Sequence, residues 1–365
     1  MFKIKQRSYI DQNNEHDILQ LMRAFGILMV VVQHSVVLYF NTGFSNTLIT
    51  VCVFIDVHVF MFVSGYLFQK YSGRYLEMGF RRFTAKKFKS LMVPYLFWAG
   101  ILFAATYILY LLSDLYGFHA AEASGFQRLS VTQIMVGLLT YRYFHMQLYW
   151  FLFALFWVFI INYAFLKFTQ RPEWVLICFA VISLMSVDFA ADEYILTKIG
   201  RSILTFGFGR IFRKYRLERG LIKNWQALIV FLAAFIAGFR YLYLIPAHIS
   251  DPHLVSVLRN SQIASLGICG IAMVYILSSF LAAHPHRVTR YLLLLGDYSL
   301  AIYLLHNPWI VHVSHIVFTK LSLPDWLGNA VSVMLGLLIP ALLYKYVIKK
   351  NPLMSRVMLG LSAKQ

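Results

Sequence analysis

Apolar runs of close to twenty residues follow one another along this chain, with only short polar breaks between them. A helix rises about 1.5 Å per residue, so roughly 20 such residues cross a hydrocarbon core about 30 Å thick. Of the 365 residues 60% are hydrophobic and only 13% charged, and the mean hydropathy is +0.66, which places most of the chain in lipid rather than water. The spacing predicts an all-α, polytopic transmembrane bundle of about ten helices: Asp17–Phe40, Thr47–Phe68, Phe88–Leu112, Leu148–Leu166, Trp174–Val187, Tyr194–Phe212, Trp225–Ile245, Leu254–Ala282, Tyr298–Phe318 and Leu327–Ile348. Ser130–Thr140 is apolar but too short to span, and reads as a re-entrant or interfacial segment. The first run follows Asp11, Glu15 and Asp17 and ends without a small-residue cleavage site, so it reads as a retained helix and not a signal peptide.

Orientation follows from alternate loops. With the N-terminus inside, roughly 25 of the 33 Lys and Arg fall on the cytoplasmic side and about 7 outside, with Arg23 left within the first helix. Omitting one helix would reverse the sign of every later loop, so an even count with both ends cytoplasmic is expected. The net charge of +18 is spent in these clusters and not on one amphipathic face, which argues against nucleic acid as a partner. Cys52, Cys178 and Cys269 lie far apart in apolar segments, so neither a disulfide framework nor a metal site is expected. We expect one membrane domain over residues 1–350, followed by a cytoplasmic tail over 351–365.

Ionisable groups inside the hydrocarbon are costly unless they meet a partner or a watery cavity, which makes each a candidate site. The first helix carries Arg23 and His34. Eleven steps of about 100° make just over three turns, so both project from nearly the same face, about 16 Å apart along the axis. The second helix carries Asp56 and His58, and the ninth carries Asp297 and His306. Asp56, His34 and His306 fall at comparable depths if the helices alternate in direction. A neutral imidazole there is suited to take a proton from a hydroxyl, although a membrane His also serves simply to bond a neighbouring helix. Lys70, Arg74, Arg81, Arg82, Lys86, Lys87 and Lys89 precede the third helix, a density that fits either headgroup anchoring or a polyanionic phosphate ligand. The aromatic stretch ending at Tyr149 and Trp150 reads equally as an interfacial belt or as a platform for a sugar.

Five fragments carry a resemblance. They are MRAFGILMVVVQHS (22–35), FMFVSGYLF (60–68), KKFKSLMVPYLFW (86–98), YWFLFAL (149–155) and LGDYSLAIYLLHNP (295–308). In order and approximate spacing they resemble the membrane-bound acyltransferase family 3, which includes glycan O-acetyltransferases and fucose O-acetylase-like proteins. The resemblance implies an inner-membrane enzyme that moves an acyl group, commonly acetyl, from cytoplasmic acyl-CoA to a hydroxyl of a surface glycan or lipid-linked sugar, without a metal. It places the family's Arg and catalytic His on Arg23 and His34; Asp56 and His306, singled out above by their depth in the membrane, are the further catalytic candidates. Arg23, Arg81, Arg82, Lys86 and Lys89 become the candidate contacts of acyl-CoA, and Tyr149, Trp150 and Tyr303 those of the acceptor. Two departures stand out: Lys86 and Lys89 replace an Arg pair, exchanging planar forks for point charges, and His58 stands where many members carry Pro. No esterase-like extension is expected after Ile348.

Three other readings compete. A transporter would also place Arg, His and Asp in the membrane, but neither an inverted repeat nor matched helix-breaking Gly and Pro is visible in the sequence. A different acyl group such as succinyl, or a non-sugar acceptor, would leave the same residues in place.

Overall fold

The computed structural model describes residues 12–40, 43–116, 129–140, 148–169, 171–175, 177–178, 181, 194–241, 251–284 and 286–361. Among these there is no strand. The helices are α1 (Gln12–Tyr39), α2 (Gly43–Lys70), α3 (Ser72–Met78), α4 (Phe80–Lys87), α5 (Val93–Tyr116), α6 (Val131–Thr140), α7 (Trp150–Phe168), α8 (Tyr194–Lys214), α9 (Glu218–Leu221), α10 (Trp225–Tyr241), α11 (Pro252–Ala283), α12 (Arg287–Asp297), α13 (Ser299–Leu305), α14 (Val311–Lys320), α15 (Asp325–Tyr346) and α16 (Pro352–Leu359).

Seven helical stretches among the described residues are long and apolar enough to cross a membrane: Asn14–Tyr39, Ser45–Lys70, Phe80–Leu112, Trp150–Phe168, Ser261–Ala283, Ser299–Lys320 and Asp325–Lys350. They coincide with seven of the ten expected. Of the other three, Trp174–Val187 falls largely outside the described residues. Tyr194–Lys214 is helical but carries Lys198, Arg201 and Arg210, and Trp225–Tyr241 is 17 residues long, with 242–250 outside the described residues. The short segment expected at Ser130–Thr140 is the ten-residue helix α6.

The chain divides into two compact units. The first comprises Met1–Ser72, Arg171–Val187 and Gly200–Leu342, and the second Gly73–Gln170, Asp188–Ile199 and Leu343–Gln365. In the first unit α1 is central, packed against α2, α11, α12 and the α13–α14 stretch. Met22, Val59, Phe62, Tyr66, Phe212 and Tyr275 form its buried core. Small residues set the crossings, because association in lipid gains from close backbone approach rather than from removal of apolar surface from water. A Cβ at Gly65 would overlap the carbonyl of Phe206, and one at Gly209 the carbonyl of Phe62, so α2 and α8 meet backbone to backbone. Gly296 touches the carbonyl of Gln20 in the same manner and draws α12 onto α1.

In the second unit Phe83 stacks on Tyr163 at 4.6 Å and Phe80 lies against the same ring at 5.5 Å, tying α4 to α7. A π-helical turn over Phe88–Met92 joins α4 to α5. Residues 351–361 form a capped helix and a turn packed in this unit. Asn351 caps α16 by accepting from the Leu353 and Met354 amides, Trp98 Nε1 donates to the Met358 carbonyl, and Gly360 at φ 65° fits against Ser90 where a Cβ would collide.

Candidate active site

Arg23 and His34 both lie on α1, and the face they share, with Gln20, Ile27 and Val31, is the one turned to α12, α13 and α14. Toward the N-terminal end of α1, Arg23 Nη1 donates to Gln20 Oε1 at 2.9 Å, and Gln20 Nε2 donates in turn to Asp297 Oδ1. Gln20 is 6% exposed. It therefore stands as a neutral bridge between a cation and a carboxylate, and the guanidinium retains donors beyond the one given to the amide. Sequence reasoning passed over Gln20. The available signal was an amide three residues before Arg23, on the same helical face, within an otherwise apolar run.

Three turns further along, the ring of His34 lies 5.2 Å from that of His306, inclined at 49°. His34 is half-buried, whereas His306 is 2% exposed. Of Asp56, His34 and His306, read from the sequence as lying at comparable depths, the two histidines are set ring against ring. His306 sits where the helix breaks: Asn307 has φ −130° and ψ 133°, Pro308 follows it across a cis peptide bond, and His306–Ile310 forms a π-helical turn. Pro308 has no N–H and Asn307 leaves the helical path, so the regular helix ends at His306, whose own backbone N–H donates to the Ile302 carbonyl. The His306 side chain adds a contact to the same turn. Its Nδ1 lies 2.9 Å from the Ile302 carbonyl and 2.8 Å from that of Tyr303. Behind it α15 comes close through Gly336, whose missing side chain makes room for Val31 and Val311. Tyr303 is buried, its ring 6.1 Å from His306.

The Ser299–Lys320 stretch is discontinuous at Asn307 and Pro308, because Asn is tolerated in extended backbone and Pro cannot donate.

Asp56 is buried on α2, where it accepts from its own neighbour Val57 and lies 4.0 Å from the His58 ring, which also contacts the Val53 carbonyl at 3.1 Å. On the other side of His34 along α1 is a hydroxyl-rich seam. Ser35 donates to Asn329 Oδ1 at 2.6 Å, Tyr39 and Ser332 hydroxyls are 2.8 Å apart, and Ser314 donates to Ser332 at 2.8 Å. These bonds join α1, α14 and α15, a role common for small polar residues between membrane helices.

In the second unit Arg81, Arg82, Lys86 and Lys89 are exposed, while Lys87 is enclosed by aromatic faces, its ammonium 3.4 Å from the Phe159 centroid and 5.5 Å from that of Tyr75. Tyr149 is fully buried beside Trp98, and Lys198 lies 4.1 Å over the Trp150 ring. Cys52, Cys178 and Cys269 are free thiols. Among the described residues no three His, Cys, Asp or Glu side chains gather as a metal site.

A family model described as an acyltransferase domain, that of acyltransferase family 3, matches residues 16–345. The match covers most of the chain, and the protein belongs to that family. No curated protein matches it, and no solved structure does. Membership makes it a multi-pass membrane acyltransferase.

Proposed function

We propose that this chain moves an acetyl group from acyl-CoA to a hydroxyl of a surface or lipid-linked carbohydrate, with His34 as general base. The single observation that supports it best is the half-buried imidazole of His34, set against His306 and on one face with a guanidinium, within a family of acyltransferases. Removal of the hydroxyl proton by His34 lets the acceptor oxygen attack the thioester carbonyl. The C–O bond forms as the C–S bond breaks, and the proton passes to the leaving thiolate. Arg23, held by an amide rather than a carboxylate, offers free N–H donors to an anionic or carbonyl group of the donor. For the donor's phosphates, Arg81, Arg82, Lys86 and Lys89 are the candidates on charge and exposure alone. Tyr149, Trp150 and Tyr303 are kept as candidate acceptor contacts, and Asp56 as a candidate catalytic group. The topology that goes with this reading is ten spans in the inner membrane with both ends cytoplasmic.

The test is label transfer. Membranes bearing the protein receive radiolabelled acetyl-CoA and candidate glycans, and wild type is compared with His34→Ala. Transfer that depends on His34 supports the reading; transfer that survives the substitution removes His34 from it. The broken helix at Asn307–Pro308 favours a second reading, transport, since interrupted helices often line substrate paths in transporters. Absence of transfer with every acyl-CoA offered, succinyl-CoA included, together with movement of a substrate across vesicles, would select it.

A further inference from the structure

The geometry points to His306 as the positioning residue of His34, a neutral orienter fixed in one tautomer by two carbonyls of its own helix; the inference rests on the role proposed above for His34. Carbonyl oxygens only accept, so the Nδ1 placed between those of Ile302 and Tyr303 carries the hydrogen. Nε2 is then the lone-pair nitrogen. It is buried without a hydrogen-bond partner. A hydrogen at Nε2 would be a second buried donor with nothing to receive it, so the surroundings accommodate the neutral Nδ1–H form. The ring beside it is that of His34, 5.2 Å between centroids, which makes His34 the neighbouring imidazole whose N–H the Nε2 lone pair would accept. Catalytic hydrogen bonds are commonly loose in an unliganded site.

The consequence is a base and its orienter, both imidazole. With one His34 nitrogen donating to His306 Nε2, the other presents its lone pair to the acceptor hydroxyl. His34 takes that proton while the oxygen attacks the thioester carbonyl, then passes it to the thiolate released by C–S cleavage. His306 keeps its Nδ1 hydrogen throughout and gains none. A carboxylate in this place would add a charge inside the membrane that has to be desolvated, which a neutral imidazole avoids. The family's His motif accounts for His34. What this structure adds is that His306, at the end of α13 and just before Asn-Pro, is held through Nδ1 by the Ile302 and Tyr303 carbonyls, which leaves Nε2 as its lone-pair nitrogen.

Two amides separate the functions of the two nitrogens. His306→Asn places an amide N–H near the Nδ1 position and nothing at Nε2, whereas His306→Gln reaches the Nε2 position with an acceptor oxygen. We expect His306→Asn to lower kcat by about 100-fold with donor KM within about twofold of wild type, and His306→Gln to recover about tenfold of that loss. Wild-type kcat in the Asn variant, or a Gln variant no better than Asn, would overturn the assignment. A second measurement needs no activity and no variant at 306: wild type and His34→Ala, labelled with 15N-histidine and studied in lipid by solid-state NMR. One histidine should show the Nδ1–H tautomer, with an Nε2 resonance that moves when His34 is replaced. A spectrum lacking that tautomer, or an Nε2 signal indifferent to residue 34, would sink the orienter role whatever the transfer assay gives. Failure of wild-type transfer with a positive NMR result would instead count against the proposed reaction alone.

Discussion

His306 and the basic segment Arg81–Lys89 both draw attention as functional candidates, yet they are built in opposite ways. His306 is buried, bonded to two carbonyls through one nitrogen, backed by the glycine of a third helix and set against a second imidazole. Arg81, Arg82, Lys86 and Lys89 are exposed on a segment anchored by other residues, Phe80, Phe83 and the caged Lys87. The first arrangement specifies one atom in one direction; the second supplies charge with no fixed geometry. A change of one atom should therefore matter at the imidazoles, while at the basic segment only the sum of charge should.

The largest effect is expected at His34. Replacement by Ala should lower the rate of acyl transfer by about 10²- to 10⁴-fold, the range for loss of a general base, while thermal stability in detergent stays close to wild type because the side chain is half exposed. A stability loss that accounts for the missing activity would erase the contrast between the two regions. Gly296→Val should come next. Its side chain would collide with the Gln20 backbone, which cannot swing aside as a side chain can, and so α12 must move from α1. A destabilisation of about 1–3 kcal/mol is expected, read as a lower midpoint of thermal unfolding together with weakened donor binding as the Gln20–Asp297 bond is lost. An unaltered midpoint would show that the crossing is looser than the contact implies.

Much of this fold could be read in the sequence, because lipid imposes a length and a hydropathy on every span. The coincidence of seven expected spans with apolar helices follows from that one constraint. The face shared by Arg23 and His34 was equally legible, since helical periodicity fixes it without knowledge of any neighbour. Partners were not. Which helix covers that face depends on where small residues let backbones meet, and Gly65, Gly209 and Gly296 look alike in sequence whether they cross a helix or merely occupy one. Asn307–Pro308 was visible as a pair but not as a break beside which a histidine is held by two carbonyls. Gln20 escaped because an amide in a membrane helix has no signature until its two partners are known.

Gln20 gives a sharper version of the comparison. Gln20→Leu keeps the volume roughly and removes both bonds, leaving Arg23 without its amide and Asp297 without its donor. Loss of a hydrogen bond to a charged group is worth about 1.5–3 kcal/mol, so kcat/KM should fall by about 10- to 100-fold if Arg23 contacts the donor. Gln20→Glu, which would pair Arg23 directly, should raise donor KM by masking its charge. If both variants match wild type, Arg23 is only a packing cation.

The smallest effect belongs to the basic segment, and it decides whether the segment acts through charge at all. Reversal at Lys86 and Lys89 together leaves Phe80, Phe83 and Lys87 in their aromatic contacts, so insertion and folding should be unchanged. A basic residue near an anionic group contributes about 1 kcal/mol, and the exposed positions are screened by salt, so donor KM should rise several-fold with kcat unaffected. Lys86→Arg with Lys89→Arg should then be nearly silent, because solvated point charges do not need the bidentate fork that Arg provides. If the Arg variants instead lower KM strongly, the phosphates are gripped in a defined geometry, and the basic segment is a built site of the same kind as the imidazole pair.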